Sequence, residues 1–217
     1  MLNILKYFFS ILVFISANCT AQYKYAKSTG LRIGYDLSHF LYKAIDPNHD
    51  RSQLSIDYEY KNNYFAVIEA GIADFKNTNK NYNYQNNGYF YTLGFEKNVG
   101  KEDLIPNNDI VTLGFRFGHS NYTQKATEII VKNNYWDSES QLSTDDIKVK
   151  SNWVEAVFGV KAEVFKNIFL GFSLNYKIFA GGKDENMIYY IPGFGKYKKR
   201  TLIDFKYSIY YRFPIQL

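Results

Sequence analysis

Hydrophobic residues recur at every second position in eight segments of this sequence, and this alternation constrains the fold more than any other feature. A period of two residues is typical of a β-strand whose two faces meet different surroundings. No stretch after residue 21 has the long apolar run that a membrane-spanning helix needs. We predict eight strands, over residues 29–38, 52–60, 64–74, 88–97, 109–119, 152–165, 167–179 and 201–214.

The two faces of the predicted strands differ sharply in chemistry. One face carries aliphatic and aromatic side chains, such as those of Phe115, Phe158 and Phe172. The opposite face carries eight acidic and six basic side chains. We expect these charged side chains to form one structural network: Arg32, Asp36, Asp57, Glu59, Glu69, Glu96, Arg116, Glu155, Lys161, Glu163, Lys177, Asp204, Lys206 and Arg212.

Composition indicates which of the two faces points inward. The chain has 21 Tyr and 18 Phe among 217 residues, which suits a sheet whose outer surface meets lipid and its interfaces. The near balance of acids and bases suits a lumen where charges neutralise one another away from water. The sequence therefore predicts an all-β fold, an eight-stranded antiparallel up-and-down transmembrane β-barrel. A soluble calyx that carries a lipid is the alternative, and it would hold the apolar face inside.

The connections alternate between short and long, as in outer-membrane barrels with short periplasmic turns and long external loops. Residues 61–63 and 165–167 read as tight turns, and 98–108 as an intermediate one. The segments 39–51, 75–87, 120–151 and 180–200 read as external loops, the third either mobile or a structured hairpin. We expect partner contacts, if any, at four aromatic residues of these loops: Tyr135, Trp136, Tyr189 and Tyr190.

The first 21 residues resemble a secretory signal peptide. Lys6 is followed by a short apolar run, and small side chains precede a predicted cleavage site after Ala21. Residues 22–217 would then form the barrel, in the outer membrane. In the alternative interpretation Cys19 is lipidated rather than removed, but Asn18 precedes it where such signals favour a small residue.

We expect neither catalysis nor a bound cofactor. The net charge of +5 comes from scattered basic residues, which argues against a nucleic-acid partner. His39, His49 and His119 lack the spacing of metal ligands, and no catalytic motif is present. An outer-membrane enzyme acting at the barrel rim would need Ser38 and His39 to meet His119 and Ser120, although their strands should lie on opposite sides.

The strand segments also resemble a known family. The similarity is carried by the motif Trp153-Val154-Glu155, by the motif Gly159-Val160-Lys161-Ala162-Glu163-Val164-Phe165-Lys166-Asn167-Ile168-Phe169-Leu170-Gly171-Phe172 and by the motif Tyr190-Ile191-Pro192-Gly193-Phe194. In the first strand it is carried by Gly30-Leu31-Arg32-Ile33-Gly34 with Asp36-Leu37-Ser38. They resemble an uncharacterised family of Bacteroidota outer-membrane barrels, catalogued as a domain of unknown function. The resemblance implies an envelope location and a barrel, and it implies no catalytic residue.

These observations predict a monomeric barrel in contact with outer-membrane lipid. We expect its charged lumen to be plugged by its own side chains, as an eight-stranded barrel is narrow. Its role would be structural, anchoring or protein interaction through the long loops.

Overall fold

The computed structural model describes residues 30–45, 47–61, 63–79, 82–100, 108–133, 138–182 and 189–214. The predicted signal peptide with Cys19 lies outside the described residues, and so do Tyr135 and Trp136.

Eight long strands form the wall: β1 (Gly30–Asp36), β2 (His49–Lys61), β3 (Tyr64–Asn79), β4 (Tyr82–Asn98), β5 (Ile110–Thr127), β8 (Ile147–Phe165), β9 (Ile168–Gly182) and β12 (Thr201–Pro214). The described ranges also contain helix α1 (Ser38–Ile45), the hairpin of β6 (Ile129–Asn133) with β7 (Ser138–Leu142), and the hairpin of β10 (Tyr190–Ile191) with β11 (Gly195–Lys196). The wall closes antiparallel in the order β1-β12-β9-β8-β5-β4-β3-β2. The predicted all-β, eight-stranded antiparallel up-and-down barrel is confirmed.

The two ends of the barrel are built differently. At the turn end, β2 joins β3 and β8 joins β9 through tight turns in which Asn63 and Asn167 adopt positive φ angles of 76° and 66°. Asn tolerates this left-handed conformation better than most residues. The first and last described residues, Gly30 and Pro214, pair at the same end. The opposite end, called the mouth end below, carries α1, the β6–β7 hairpin and the β10–β11 hairpin.

The apolar face of the wall points outward. Phe115 is 77% exposed, and Phe158 and Phe172 are more than 40% exposed, whereas Glu69 and Lys177 are buried inside the barrel. A lipid-carrying calyx would show the opposite orientation. The exposed apolar side chains of the eight wall strands form a continuous band around the barrel, called the outer belt below. Phe115 on β5 and Ile203 on β12 are among its members.

Four strands, β3, β4, β5 and β8, extend further towards the mouth end than the alternation of apolar and polar residues predicted. Residues 75–87 were expected to form a loop, but β3 and β4 stay paired from Tyr64↔Lys97 to Asn79↔Tyr82. Within 120–151, β5 and β8 pair as far as Gln124↔Ile147, and the β6–β7 hairpin follows. Beyond the outer belt the distribution of side chains reverses: polar residues face outward and aromatic residues face inward. A search for outward-facing apolar residues therefore misses these extensions.

Residues 39–51 were also expected to form a loop, but they contain α1 and the start of β2. Among the described residues, no helix is long and apolar enough to cross a membrane. Residues 189–197, called the mouth segment below, contain the β10–β11 hairpin and turn into the barrel opening. Tyr190, Ile191 and Phe194 of this segment are almost completely buried.

Candidate functional site

The middle of the lumen is held together by Arg116. Its Nη1 donates a hydrogen bond to Glu69 Oε1 over 2.6 Å, and its Nη2 donates to Glu96. Lys206 Nζ, reaching from β12, donates to the other Glu69 oxygen over 2.6 Å. Thr92 donates a further hydrogen bond to that oxygen. All these side chains are buried, so each charge is stabilised by an opposite charge rather than by water.

A second cluster surrounds Asp57 on β2. Arg32 Nε donates to Asp57 Oδ1 over 2.5 Å, and Lys161 donates to Asp57 Oδ2. Lys161 Nζ also lies 3.8 Å from Glu96 Oε2. This longer contact connects the Asp57 cluster to the Arg116 cluster, so the charges of the two clusters form one continuous network.

The turn end of the lumen is occupied by Arg212, Glu163 and Phe169. Arg212 Nη2 donates to Glu163 Oε1 over 3.0 Å, and Asn108 Nδ2 donates to Glu163 Oε2 over 2.6 Å. The Phe169 ring is fully buried between two guanidinium groups, 5.0 Å from that of Arg212 and 5.7 Å from that of Arg32. Cation–π contacts of this kind add attraction to the ion pairs.

A third cluster lies towards the mouth end, around Asp204 on β12. Lys177 Nζ donates to Asp204 Oδ2 over 2.7 Å, and Arg51 reaches both Asp204 and Asp36, the latter over 2.7 Å. The Tyr42 hydroxyl, from α1, donates to Asp204 Oδ1 over 2.8 Å. The cluster therefore ties α1 to β2, β9 and β12.

Aromatic stacking fixes the first half of the mouth segment. The Tyr190 ring stacks on Phe75 with centroids 4.7 Å apart and planes 8° apart. The Tyr190 hydroxyl lies 2.7 Å from His49 Nε2, and Asn86 Nδ2 donates to the Tyr190 carbonyl oxygen over 2.9 Å. Burial raises the pKa of the Tyr190 phenol. The mouth segment is therefore joined to β2, β3 and β4.

Lys177 joins the second half of the mouth segment to the barrel wall. Besides Asp204, its Nζ donates to the carbonyl oxygen of Gly193 over 2.6 Å. Gly193 has a φ of +79°, and a Cβ there would lie 2.5 Å from the Phe90 ring, so glycine suits both the backbone and the space. Phe194 then packs with Phe90 and Trp153 in a buried cluster.

The structure places all fourteen residues of the predicted network on the inner face, where their side chains are buried or nearly so. Twelve of them belong to the three clusters and the turn-end group described above. The other two are bound locally: Glu59 accepts the Asn63 backbone N–H, and Glu155 Oε1 accepts the Trp153 indole N–H over 2.6 Å.

Sequence reasoning missed two members of the network, Arg51 and Trp153. Arg51 lies one residue before the predicted start of the second strand, and the same alternation extended by one residue would place it inward. It is 5% exposed and brings the inward-facing bases found on the described parts of the wall strands to seven, against eight acids. Trp153 was read as part of a motif, without a direction, but it is fully buried beside Gly118.

The predicted partner contacts in the mouth segment lie in different surroundings. Tyr190 is only 1% exposed and is engaged with Phe75 and His49, so a direct contact with a partner does not fit its position. Tyr189 is half-buried and lies 5.7 Å from the Phe75 ring.

The residues of the alternative rim enzyme do not meet. Ser38 is buried and bound to Asp36, whereas His119 lies on β5, four strands away from β1 in either direction. His119 is bonded to Asn152, and Ser120 donates to the Tyr89 carbonyl oxygen. Within the described ranges, no group of three or more His, Cys, Asp or Glu side chains is arranged to hold a metal ion.

The sequence matches one family model along nearly its whole length. The matched residues are 4–217, and the family is described as Domain of unknown function (DUF6048). The chain belongs to the DUF6048 family. No curated protein matches the sequence.

Three solved structures are similar to this DUF6048 protein. A major outer membrane protein from Thermus thermophilus has a TM-score of 0.48 at 12% identity, covering 87% of this chain and 100% of that one. Ail of Yersinia pestis has a TM-score of 0.44 at 11% identity, with the same coverage. The N-terminal β-barrel domain of Pseudomonas aeruginosa OprF has a TM-score of 0.36 at 13% identity, covering 86% and 98%.

Proposed function

We propose that this DUF6048 protein is an outer-membrane barrel with a closed lumen that acts as an anchor and presents its mouth end to protein partners. The observation that carries the proposal is the orientation of the wall, with ionised side chains buried inside and apolar ones exposed outside. In this proposal the mouth end faces the cell exterior and the turn end faces the periplasm. The Bacteroidota origin implied by the family resemblance stays a prediction.

The outer belt supports a membrane location. Its exposed side chains include Phe95, Phe115, Ile72 and Ile203, each more than 60% exposed. Soluble monomers rarely expose apolar patches larger than a few hundred Å². In a membrane barrel the same band contacts acyl chains, and the charged face is removed from lipid. Cell fractionation tests this location, and recovery of the protein in a detergent-free soluble fraction would contradict it.

Packing inside the barrel supports a closed lumen. Ion pairs cross the middle around Arg116, Phe169 is buried near the turn end, and the mouth segment is buried at the other end. An eight-stranded barrel has room for little more than its own side chains. We expect no stable conductance in planar bilayers, under conditions where a porin control inserts and conducts. Large, stable single-channel currents from the wild-type protein would contradict a closed lumen.

The mouth end supports the interaction role. Four strands extend past the outer belt and expose polar residues such as Lys76 and Lys125, and the β6–β7 hairpin stands at this end. We propose Tyr135, Trp136 and Tyr189 as partner contacts, without Tyr190. Photo-crosslinking in intact cells tests this with the probe at Trp136, and with Lys97 at the turn end as the matched control. Adducts at Lys97 but not at Trp136 would contradict the proposal.

A further inference from the structure

The barrel wall is interrupted where β1 ends. β1 stops at Asp36, opposite Ser208, while its two neighbours continue towards the mouth end, β12 to Thr201 and β2 to His49. Unpaired backbone N–H and C=O groups are costly at membrane depth, because lipid cannot hydrogen-bond to them. The free edges of β2 and β12 therefore need other partners.

Helix α1 and the residue before it supply these partners. Leu37 N donates to the Tyr207 carbonyl oxygen over 2.7 Å, one residue beyond the last β1–β12 pair. The Tyr42 hydroxyl lies 3.3 Å from the Phe205 carbonyl oxygen, further along the β12 edge. On the other side, Arg51 N on β2 donates to His39 Nδ1 over 3.3 Å. α1 thus spans the space that a longer β1 would fill.

The outer side of α1 continues the outer belt. Phe40 is 60% exposed and Ile45 is 70% exposed, while Ser38 and Tyr42 of the same helix bind the buried carboxylates behind it. The wall next to α1 is also apolar on its outside, with Leu54 on β2 and Ile203 and Phe205 on β12 more than 40% exposed. Apolar side chains therefore run across the interruption from one strand to the other.

An exposed ion pair marks the polar limit of this surface. Lys43 Nζ lies 2.7 Å from Asp50 Oδ2, and both side chains are 51% exposed. Lys43 follows Phe40 by three positions, so a basic side chain lies next to the exposed aromatic one on the helix surface. A basic side chain beside an exposed apolar one is common in helices at the boundary between headgroups and acyl chains.

We propose that α1 is a lipid-facing part of the barrel wall, whose Phe40 and Ile45 contact acyl chains of the outer leaflet. This inference rests on the proposed membrane location. It identifies one place where a helix, rather than paired strands, separates the Asp36–Arg51–Asp204 cluster from lipid.

Site-directed fluorescence quenching tests this proposal. The single cysteine is first replaced, Cys19→Ser, and Phe40→Cys or Ile45→Cys is then labelled with an environment-sensitive fluorophore. The folded protein is placed in phosphatidylcholine vesicles that contain a lipid with a spin label high on its acyl chain or, for the label at Phe115, a lipid with a spin label near the end of its acyl chain. Phe115→Cys in the outer belt is the positive control, and Lys76→Cys on the outward face of β3 beyond the belt is the negative control. Heat-modifiable migration on gels verifies that each variant is folded.

We expect the label at Phe40 and at Ile45 to lose fluorescence to the lipid quencher as the label at Phe115 does, and the label at Lys76 to keep it. Quenching at Phe115 without quenching at Phe40 and Ile45 would overturn the inference and leave the proposed membrane location intact. A protein partner on α1 would shield Phe40 from both the lipid quencher and aqueous iodide, which also contradicts it. Absence of quenching at all of these sites would reject the membrane location itself, and the inference with it.

Discussion

Lys177 Nζ donates a hydrogen bond to the Gly193 carbonyl oxygen over 2.6 Å, and so joins strand β9 of the barrel wall to the mouth segment. The same ammonium group is fully buried and ion-paired with Asp204. One side chain therefore couples the charge balance of the lumen to the position of the mouth segment.

Replacing Lys177 by Met should loosen the mouth segment and destabilise the barrel. We expect a loss of about 3 kcal/mol in the free energy of unfolding, at the low end for a broken buried pair because Arg51 still faces Asp204. Urea unfolding in vesicles measures the loss, and hydrogen exchange at residues 190–196 measures the loosening.

Lys148→Met is the matched control, because Lys148 is exposed on the outer face of β8. It should change the free energy of unfolding by less than about 0.5 kcal/mol. Equal exchange rates in the mouth segment of wild type and Lys177→Met would show that the ammonium–carbonyl bond does not hold it.

Arg116 and Glu96 should be strongly coupled. Arg116→Met leaves Glu69 and Glu96 with one fewer base each, and we expect a loss of about 3–5 kcal/mol in the free energy of unfolding. Adding Glu96→Gln should restore part of this loss, because a neutral amide needs no counter-charge. A double-mutant cycle measures the coupling, which we expect to exceed about 1 kcal/mol. Additive effects of the two substitutions would contradict the ion pair.

The alternation of the sequence predicted the middle of the barrel well, and the reason is local. Phe115 and Arg116 are adjacent, and a strand places their side chains on opposite faces whatever the rest of the chain does. Once lipid is assumed outside, the inward direction of Arg116 follows from its neighbour, and the eight wall strands follow from the same rule.

The mouth end could not be predicted in this way, because long-range contacts decide it. Phe75 and Tyr84 face inward because the mouth segment, more than 100 residues later, covers them. Helix α1 forms where Tyr42 can reach Asp204 and Phe205, which are 162 and 163 residues away. The sequence around Phe75, Tyr84 and Tyr42 therefore carries no periodic signal of the distant segments that these residues contact.

The tyrosines of the mouth end should make the barrel less stable in alkali. The pKa of Tyr190 is raised in the folded protein, so its neutral form stabilises the fold fully below the ordinary tyrosine pKa of about 10. This contribution is lost as the pH rises from about 10 through the raised pKa. We expect Tyr190→Phe to flatten the decline in the free energy of unfolding above a pH of about 10.

The measurement compares urea unfolding at several pH values for wild type, Tyr190→Phe and a Tyr64→Phe control from the outer face. Lysines titrate in the same range, so the difference between the variants isolates the tyrosine contribution. A Tyr190→Phe curve parallel to that of wild type would contradict the assignment.

Phe115→Arg distinguishes a lipid-facing wall from a water-facing one. Phe115 is 77% exposed in the middle of the outward-facing run of β5, where an arginine in a bilayer costs about 2–4 kcal/mol. On a surface in water the same change would fall within about 0.5 kcal/mol. Thr123→Arg, outward on β5 beyond the outer belt, is the control and should cost almost nothing in either case. Because both substitutions add the same charge to the same strand, a difference between them in vesicle unfolding experiments reports the depth of Phe115 in the lipid, and equal small effects would contradict a membrane-spanning wall.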